Sequence, residues 1–493
     1  MRTEMLLAGL LAATATQATA GLLAMLTSFA AATALAAAGS TSAGTGEPAS
    51  PPDFKALAAQ VADETIADRR WLHSHPELSL REFKTQEYLK RKLTAIPGLE
   101  LVPGDWGTGL VALLRGGRPG PLVAWRADID ALPLTESTGL PYASTVCDTM
   151  RGRDVGVMHA CGHDIHAAVL LGAARVLARS RATLPGSVLF VVEPAEEIGA
   201  GAPLLLEAGL FAGDRRPESI FGIHDHPTIP YGQVSYCPGR SSGNVDEFRV
   251  RVIGKGGHGA YPHEAKDPVV IAAQMIVALQ SIVSREVSSA RQAVVTVGSI
   301  HGGTTSNVIP ESVELAGTVR TLEPEVRSQV QAAVERTIRG IAASAGAPEP
   351  EITYSLGTPS MNNDSTLVTE TLPTLERVVG AENVVRYEPG MGGEDFSFYQ
   401  DVVPGFLFRL GVGRPDREMA LHNPAFDPDE RAIPLGVEVA SAVLWDRLTL
   451  VAGRGSASVA SPAQPASPAQ PTSPAQPASP APPTSASPAP PAP

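Results

Sequence analysis

At 493 residues, 43% of them hydrophobic, the chain can bury at least one large core, and its length alone suggests two or three domains. A formal net charge of -13 argues against nucleic acid as a partner, because a phosphate backbone is held by clustered Lys and Arg. Three cysteines, Cys147, Cys161 and Cys237, are too few for a disulfide framework in so long a chain; Cys147 and Cys237 read either as a pair or as two free thiols.

Residues 1–38 contain a long Ala/Leu-rich run without a charge from position 5 onward. This predicts an exported protein, the run being a cleaved signal peptide or an uncleaved membrane anchor, and an anchor of this kind is the only membrane contact expected. A short linker, 39–52, follows. Between residues 53 and 244, apolar runs at 122–127 and 188–192 read as buried strands and 165–178 has helical periodicity, an alternation that implies an α/β sheet covered by helices. Residues 245–357 change rhythm: a strand at 246–253, a helix at 268–287, strands at 294–300 and 312–321, a helix at 323–345 and a strand at 351–355. That order, βαββαβ, is the order of a ferredoxin-like module. Residues 358–453 return to helix (366–379), strand (405–410) and helix (435–449), so the simplest architecture is a discontinuous main domain interrupted by an inserted one. Residues 454–493 are rich in Pro, Ala and Ser and cannot form a core; an extended, partly polyproline spacer is expected there.

The most informative stretch is His159-Ala-Cys-Gly-His-Asp164, where a loop meets the start of an apolar helix. Cys and His are borderline-soft ligands suited to zinc-like ions, and one intervening residue on an irregular backbone lets Cys161 and His163 converge. On its own, such a triplet is more often structural. Three further segments shift the weighting. The strand at 188–192 runs into Glu193-Pro-Ala-Glu-Glu197, at the carboxyl end of a strand, where α/β sheets place their ligand sites. Adjacent Glu196 and Glu197 point differently, so one can bind metal while its neighbour acts as a base. Phe221-Gly-Ile-His-Asp-His-Pro227 supplies His224, and Leu421-His-Asn-Pro424 supplies His422. With only eleven histidines in the chain, several stand at element ends bordered by Gly or Pro, and coincidence becomes the weaker account.

The chain resembles the amidohydrolase branch of the aminoacylase and carboxypeptidase family of dinuclear metallopeptidases, which includes hippurate hydrolases and indole-acetyl-amino-acid hydrolases. The matching segments are Arg126-Ala-Asp-Ile-Asp-Ala-Leu-Pro133, Met158-His-Ala-Cys-Gly-His-Asp164, Pro194-Ala-Glu-Glu197, Gly254-Lys-Gly-Gly-His-Gly-Ala260, Ser306-Asn-Val-Ile-Pro310, Gly317-Thr-Val-Arg-Thr321, Met391-Gly-Gly-Glu-Asp-Phe-Ser397 and Leu421-His-Asn-Pro424. The resemblance implies a zinc-peptidase-like catalytic domain on a mixed sheet, with the ferredoxin-like insert as lid and dimerisation domain. It further implies that Cys161, His163, Glu197, His224 and His422 bind two divalent ions (zinc, manganese, cobalt or nickel), with Cys161 as the bridge. Glu196 is then the general base. His258 is the residue that stabilises the oxyanion in a neighbouring subunit's site, which implies a homodimer, and Asn307 and Arg320 hold the substrate's carboxylate. The substrate class is a small N-acyl amino acid.

Two positions stay open at this level. His226 is an alternative to His224 in a shifted register. Asp128 stands where other branches use a His-x-Asp ligand pair, but Arg126 replaces that His, so Asp128 is expected to support a ligand from behind rather than to bind metal. Rival readings are a dipeptidase or carboxypeptidase, a catalytically silent envelope binding protein, and an enzyme using Cys161 as nucleophile.

Overall fold

The structure, a computed structural model, describes residues 50–459; the leader 1–38, the linker up to residue 49 and the tail from residue 460 lie outside the described residues. The chain opens with helices α1 (Phe54–Ser74) and α2 (Phe83–Thr94), then β1 (Leu99–Leu101), β2 (Leu110–Arg115), β3 (Arg118–Asp128), α3 (His163–Arg179), β4 (Pro185–Glu193), β5 (Ser219–Pro230) and β6 (Val234–Tyr236). It continues through β7 (Asn244–Ile253), α4 (Pro268–Ser281), β8 (Ala293–His301), β9 (Ser312–Thr321), α5 (Pro324–Ser344) and β10 (Glu351–Leu356). It closes with α6 (Ser365–Val379), β11 (Val384–Arg386), β12 (Gly405–Gly413) and α7 (Ala432–Val459).

Eight strands form one mixed sheet in the order β1-β2-β4-β3-β5-β12-β6-β11. Its centre, β4-β3-β5-β12, is parallel, and antiparallel pairing begins on either side at β2 and β6. Parallel strands are covered on both faces, which is why β3 and β4 read as near-continuous apolar runs. One face packs against α1, α3 and α7 through Phe54, Trp125, Leu170, Phe190, Phe408 and Trp445. The opposite face buries Ala124, Leu189, Ile220, Phe396, Tyr399 and Leu407. Nearly every residue of α3 up to Leu177 is buried, as expected for a helix apolar all round. Asp53, Asp267 and Asp364 cap α1, α4 and α6 by accepting first-turn N–H groups.

Residues of β7 to β10 build a separate, wholly antiparallel sheet in the order β8-β9-β7-β10. With α4 and α5 it encloses its own core, including Phe248, Val250, Met275, Leu279, Val319 and Ile338. The chain order βαββαβ and this strand order are those of the ferredoxin-like arrangement. Two element ends depart from the sequence reading by more than five residues. The helix expected over 268–287 is α-helical only to Ser281 and finishes as a π-helical turn, Ile282–Glu286. At the other end of the chain, α7 runs on to Val459, beyond position 454 where the composition changes, because the first helix-breaking proline after it is Pro462. Cys147 is exposed, Cys161 and Cys237 are buried, and all three are free thiols.

The sheet puts the carboxyl ends of β3, β4 and β5 beside the amino end of α3, so the α3 packing is what holds the site together. Leu170→Ala, at a position 1% exposed, is expected to lower stability by about 2–5 kcal/mol. A shifted denaturant midpoint in far-ultraviolet circular dichroism reads this out, and an unchanged midpoint would contradict the packing described.

Candidate metal centre

Three sharp backbone turns bring the sequence-selected side chains together. Gly162, between Cys161 and His163, has φ +81°, and a Cβ there would lie 2.1 Å from Asp225 Oδ1, so only glycine allows the turn that opens α3. Ala195, at φ 55°, turns the chain after β4 so that Glu196 and Glu197 lie in a single 3-10 turn. His422, at φ 58°, donates its backbone N–H to the Ala160 carbonyl (2.8 Å), which ties the distant loop to the Cys161 segment. Positive φ at two non-glycine residues costs of the order of 1–3 kcal/mol each and persists only where surrounding contacts enforce it.

Potential ligand atoms lie within 4.8 Å of one another in the triads Cys161/His163/His224, Cys161/Glu197/His422 and His163/Glu196/Glu197. Cys161 is common to the first two. Its Sγ is 3.6 Å from His224 Nε2, and Glu197 lies 3.9 Å from His163 Nε2 and 3.7 Å from His422 Nε2. The imidazoles are oriented from behind. His163 donates from Nδ1 to the Asp130 carbonyl (2.9 Å), and the Asp130 carboxylate lies 3.2 Å from the same nitrogen. His224 Nδ1 donates to the Asp225 carbonyl (2.7 Å). Both rings therefore aim Nε2 lone pairs inward. Asp130 Oδ2 also accepts from Ser79 Oγ and from the Glu197 N–H, so one carboxylate fixes two of the candidate ligands.

Behind this layer stands Arg126, wholly buried. It donates to Asp128 (2.6 Å), to Glu193 (2.6 and 3.0 Å) and to Asp395 (3.0 Å), and lies 3.0 Å from Glu394. Tyr399 adds a hydrogen bond to Glu193. His166 sits between Asp128 (2.5 Å) and Asp225 (3.1 Å). Burial opposes its charge, but those two carboxylates lift its pKa to about 9. Burial would likewise raise the Asp128 carboxyl, yet Arg126, His163 and His166 hold it well below the usual range. Asp128 Oδ1 thus meets His166, while its Oδ2 lies 3.7 Å from His163 Nε2, at least as near as Glu197 comes, and with His163 and His166 it forms a further group able to hold a metal ion.

The acidic residues at the centre behave in the opposite way. Burial pushes the Cys161 thiol up, and burial with the nearby Glu394 pushes Glu196 up. Burial raises Glu197 to about 7, with Asp130 and Asp128 adding to it against the pull of His163. Such a set ionises readily only next to added positive charge. His163 Nε2 and Glu197 Oε1 are enclosed without a hydrogen-bond partner, atoms that a cation would satisfy. A thiolate, imidazoles and carboxylates together match the chemistry of a zinc-like divalent ion.

Not every residue selected from sequence gathers here. His258 is exposed on a short two-stranded antiparallel ladder, Gly257–His258 against Val308–Ile309, and its Nδ1 accepts the Ala260 N–H (3.0 Å). Asn307 is exposed beside it, its carbonyl accepting the Gly259 N–H. Arg320, half-buried on β9, reaches toward the Met391–Ser397 motif: a Cβ on Gly393 would lie 4.0 Å from its Nη1. His226 hydrogen-bonds Thr228 rather than Cys161, and burial with Arg409 lowers its pKa to about 4. The sequence reading named Asp128 but missed Asp130, His166 and the meeting of Glu193, Glu394 and Asp395 with Arg126. Two signals were available: His163 and His166 are three apart on one helix face, and Asp128 and Asp130 alternate at a strand end.

The sequence profile described as peptidase family M20/M25/M40 matches residues 124–446. An N-acetylcysteine deacetylase of Bacillus subtilis is 41% identical over 365 residues, covering 74% of this chain and 92% of that protein. An N-acetyldiaminopimelate deacetylase of Listeria monocytogenes is 38% identical over 381 residues, covering 77% and 98%. Among solved structures, a dinuclear metal-binding peptidase of the M20 family from Bacillus subtilis superposes with a TM-score of 0.67 at 36% identity, covering 80% of this chain and 99% of that one.

Removing Arg126 would leave four buried carboxylates without their shared cation. Arg126→Met is expected to destabilise the main unit by about 3–5 kcal/mol. Thermal unfolding followed by tryptophan fluorescence checks this, and a variant as stable as the parent would show that the carboxylates are neutralised by other means.

Proposed function

Because the chain belongs to peptidase family M20/M25/M40, we propose that it is a metal-dependent amidohydrolase that splits small N-acyl amino acids into a carboxylic acid and an amino acid. The observation that carries this is the convergence of Cys161, His163, Glu197, His224 and His422, with Glu196 beside them. Deacetylase relatives over most of the chain support the substrate class.

Two divalent ions (zinc, manganese, cobalt or nickel) would be held by these five residues. Bound there, they would supply Lewis-acid polarisation of the amide carbonyl and acidification of a water. The protein's own part begins at Glu196, which takes a proton from the attacking water as the water oxygen bonds to the carbonyl carbon. As the C–N bond breaks, the same carboxyl returns that proton to the departing amine. Arg320 and Asn307 hold the free carboxylate, for which a forked guanidinium is suited. His258 supplies a donor to the oxyanion.

Its exposure on a short two-stranded ladder, with no hydrogen bond or ion pair to its own chain's ligand cluster among the described residues, supports action across a homodimer. Exposed Val269, Val270 and Val277 on α4 are consistent with a second copy packing there. The uncharged run at 5–38 supports an exported enzyme.

Metal analysis is expected to give about two ions per chain, and chelation to abolish turnover of acetyl, benzoyl and indole-acetyl amino acids. Glu196→Gln should keep its metal and lose about 10²–10⁴ in kcat. Full activity in that variant would remove Glu196 as base, and preferential cleavage of dipeptides would favour a peptidase instead.

A mixing experiment tests the dimer. Glu196→Gln and His258→Ala are each expected to be inactive alone. Refolded together, they should recover about a quarter of parental activity, since about half the dimers are mixed and each of these has one intact site. No recovery would place His258 in its own chain's site or outside catalysis.

A further inference from the structure

Arg409 stands in the middle of β12, paired in register with His224 on β5 and with Ser235 on β6. Residues paired across neighbouring strands present their side chains on the same face, so Arg409 and His224 leave the sheet side by side, their backbones about one strand spacing (~4.8 Å) apart. Its guanidinium is half-buried and stacks on Tyr387, with its central carbon 3.7 Å from the ring centroid. Stacking uses the flat face of the guanidinium and none of its N–H groups, all of which lie in its plane.

Those donors are unspent. Among the described residues Arg409 makes no hydrogen bond and no ion pair. Other arginines buried in this unit do otherwise: Arg69, Arg126, Arg175 and Arg447 each meet carboxylates. The acid nearest in sequence to Tyr387, exposed Glu388, forms no ion pair with Arg409. A second observation points the same way. Ser235, 2% exposed, has its Oγ enclosed and without a hydrogen-bond partner. A buried hydroxyl without a partner, on the residue paired in register with a guanidinium that has no counter-ion among the described residues, is satisfied by an anion.

We propose that Arg409, stacked on Tyr387 and adjoined by Ser235, is an anion subsite beside the metal centre that binds a second carboxylate of the substrate, distinct from the one held by Arg320. This rests on the hydrolase reading above and narrows its substrate class to N-acyl amino acids with an additional carboxylate. That group is carried either by an acidic amino-acid side chain or by a dicarboxylic acyl group. Both present the same planar oxygens to the guanidinium edge.

The test compares N-acetylalanine, N-acetylglutamate and N-succinylalanine on the metal-loaded parent and on Arg409→Met, which keeps an apolar stem against Tyr387. The expected result is a loss of about 10–100-fold in kcat/KM, carried by KM, on one of the two dicarboxylates, with N-acetylalanine changed less than about twofold. The substrate that loses identifies which carboxylate is read. Equal loss on all three, or loss on none, overturns the proposal. Arg409→Lys guards against a folding defect: it should retain part of the dicarboxylate preference, and a preference wholly independent of residue 409 overturns the subsite. Calorimetry of the same three compounds on Glu196→Gln protein, with and without Arg409→Met, reads binding without turnover. If no N-acyl amino acid is hydrolysed but dicarboxylate binding still depends on Arg409, the hydrolase reading fails and the subsite stands. If hydrolysis occurs and binding is indifferent to Arg409, the reverse holds.

Discussion

The buried guanidinium of Arg126 is the constraint on which the rest of the site depends. The carboxyl ends of β3 and β4 and the segment before Phe396 bring Asp128, Glu193, Glu394 and Asp395 into one enclosed volume. Like charges so close cannot all ionise in a medium of low dielectric unless a cation is among them. Arg126 is fully enclosed and cannot be deprotonated, so it supplies that charge permanently. Its fork also fixes direction: two donors on Glu193 and one on Asp128 leave the other Asp128 oxygen for His166. The orientation of the ligand layer is thus inherited from a residue that touches none of the ligands.

Moving outward from Arg126, the arrangement becomes progressively less self-sufficient. Asp128 and His166 neutralise each other, and Asp225 extends the chain toward His224. Asp130 then braces His163 and the Glu197 backbone. At the innermost layer compensation runs out: Cys161, Glu196 and Glu197 are all pushed toward their neutral forms, and two ligand atoms stay unpaired. A protein that meant only to be stable would fill such a space with apolar side chains, since buried ionisable groups are poor stabilisers. Retaining them where the turns at Ala195 and His422 are also strained marks the place as functional.

What could be read from sequence divides along a physical line. The strands of the parallel sheet and the βαββαβ insert were legible because periodicity and apolar runs are local properties; the strand at Ser312–Thr321, for example, ends where the pattern says it does. The candidate ligands Cys161, His163 and Glu197 were legible because strand ends and a Gly-marked turn position them locally. Other contacts join residues far apart in the chain, and no window reveals them. Asp395 reaching Arg126 and the His422 N–H reaching Ala160 are of this kind. Only the resemblance to a family supplied the idea of a second ion and the pairing of the ligands. Arg409 escaped notice for the same reason: within its strand it is one charged residue in an apolar run, and its lack of a counter-ion is a fact about neighbours on β5, β6 and Tyr387.

The division of labour between the two sheets follows from these distances. Every candidate ligand, together with Arg126, Asp128, Asp130 and His166, belongs to the main unit and is braced there by bonds within that unit. Of the residues assigned to substrate, the antiparallel unit carries Arg320, Asn307 and His258, and of these Arg320 alone approaches the centre in the same chain. The junction itself is polar: Asn244 hydrogen-bonds Thr321 on one side and accepts from Ser360 on the other, with no shared apolar core across it. Metal affinity should then be a property of the main unit, nearly independent of where the smaller unit sits. Recognition of substrate, which draws on both, should be sensitive to it. Substitutions at the junction would therefore change turnover while leaving the metal complement intact, a separation that a site built within one rigid sheet would not show.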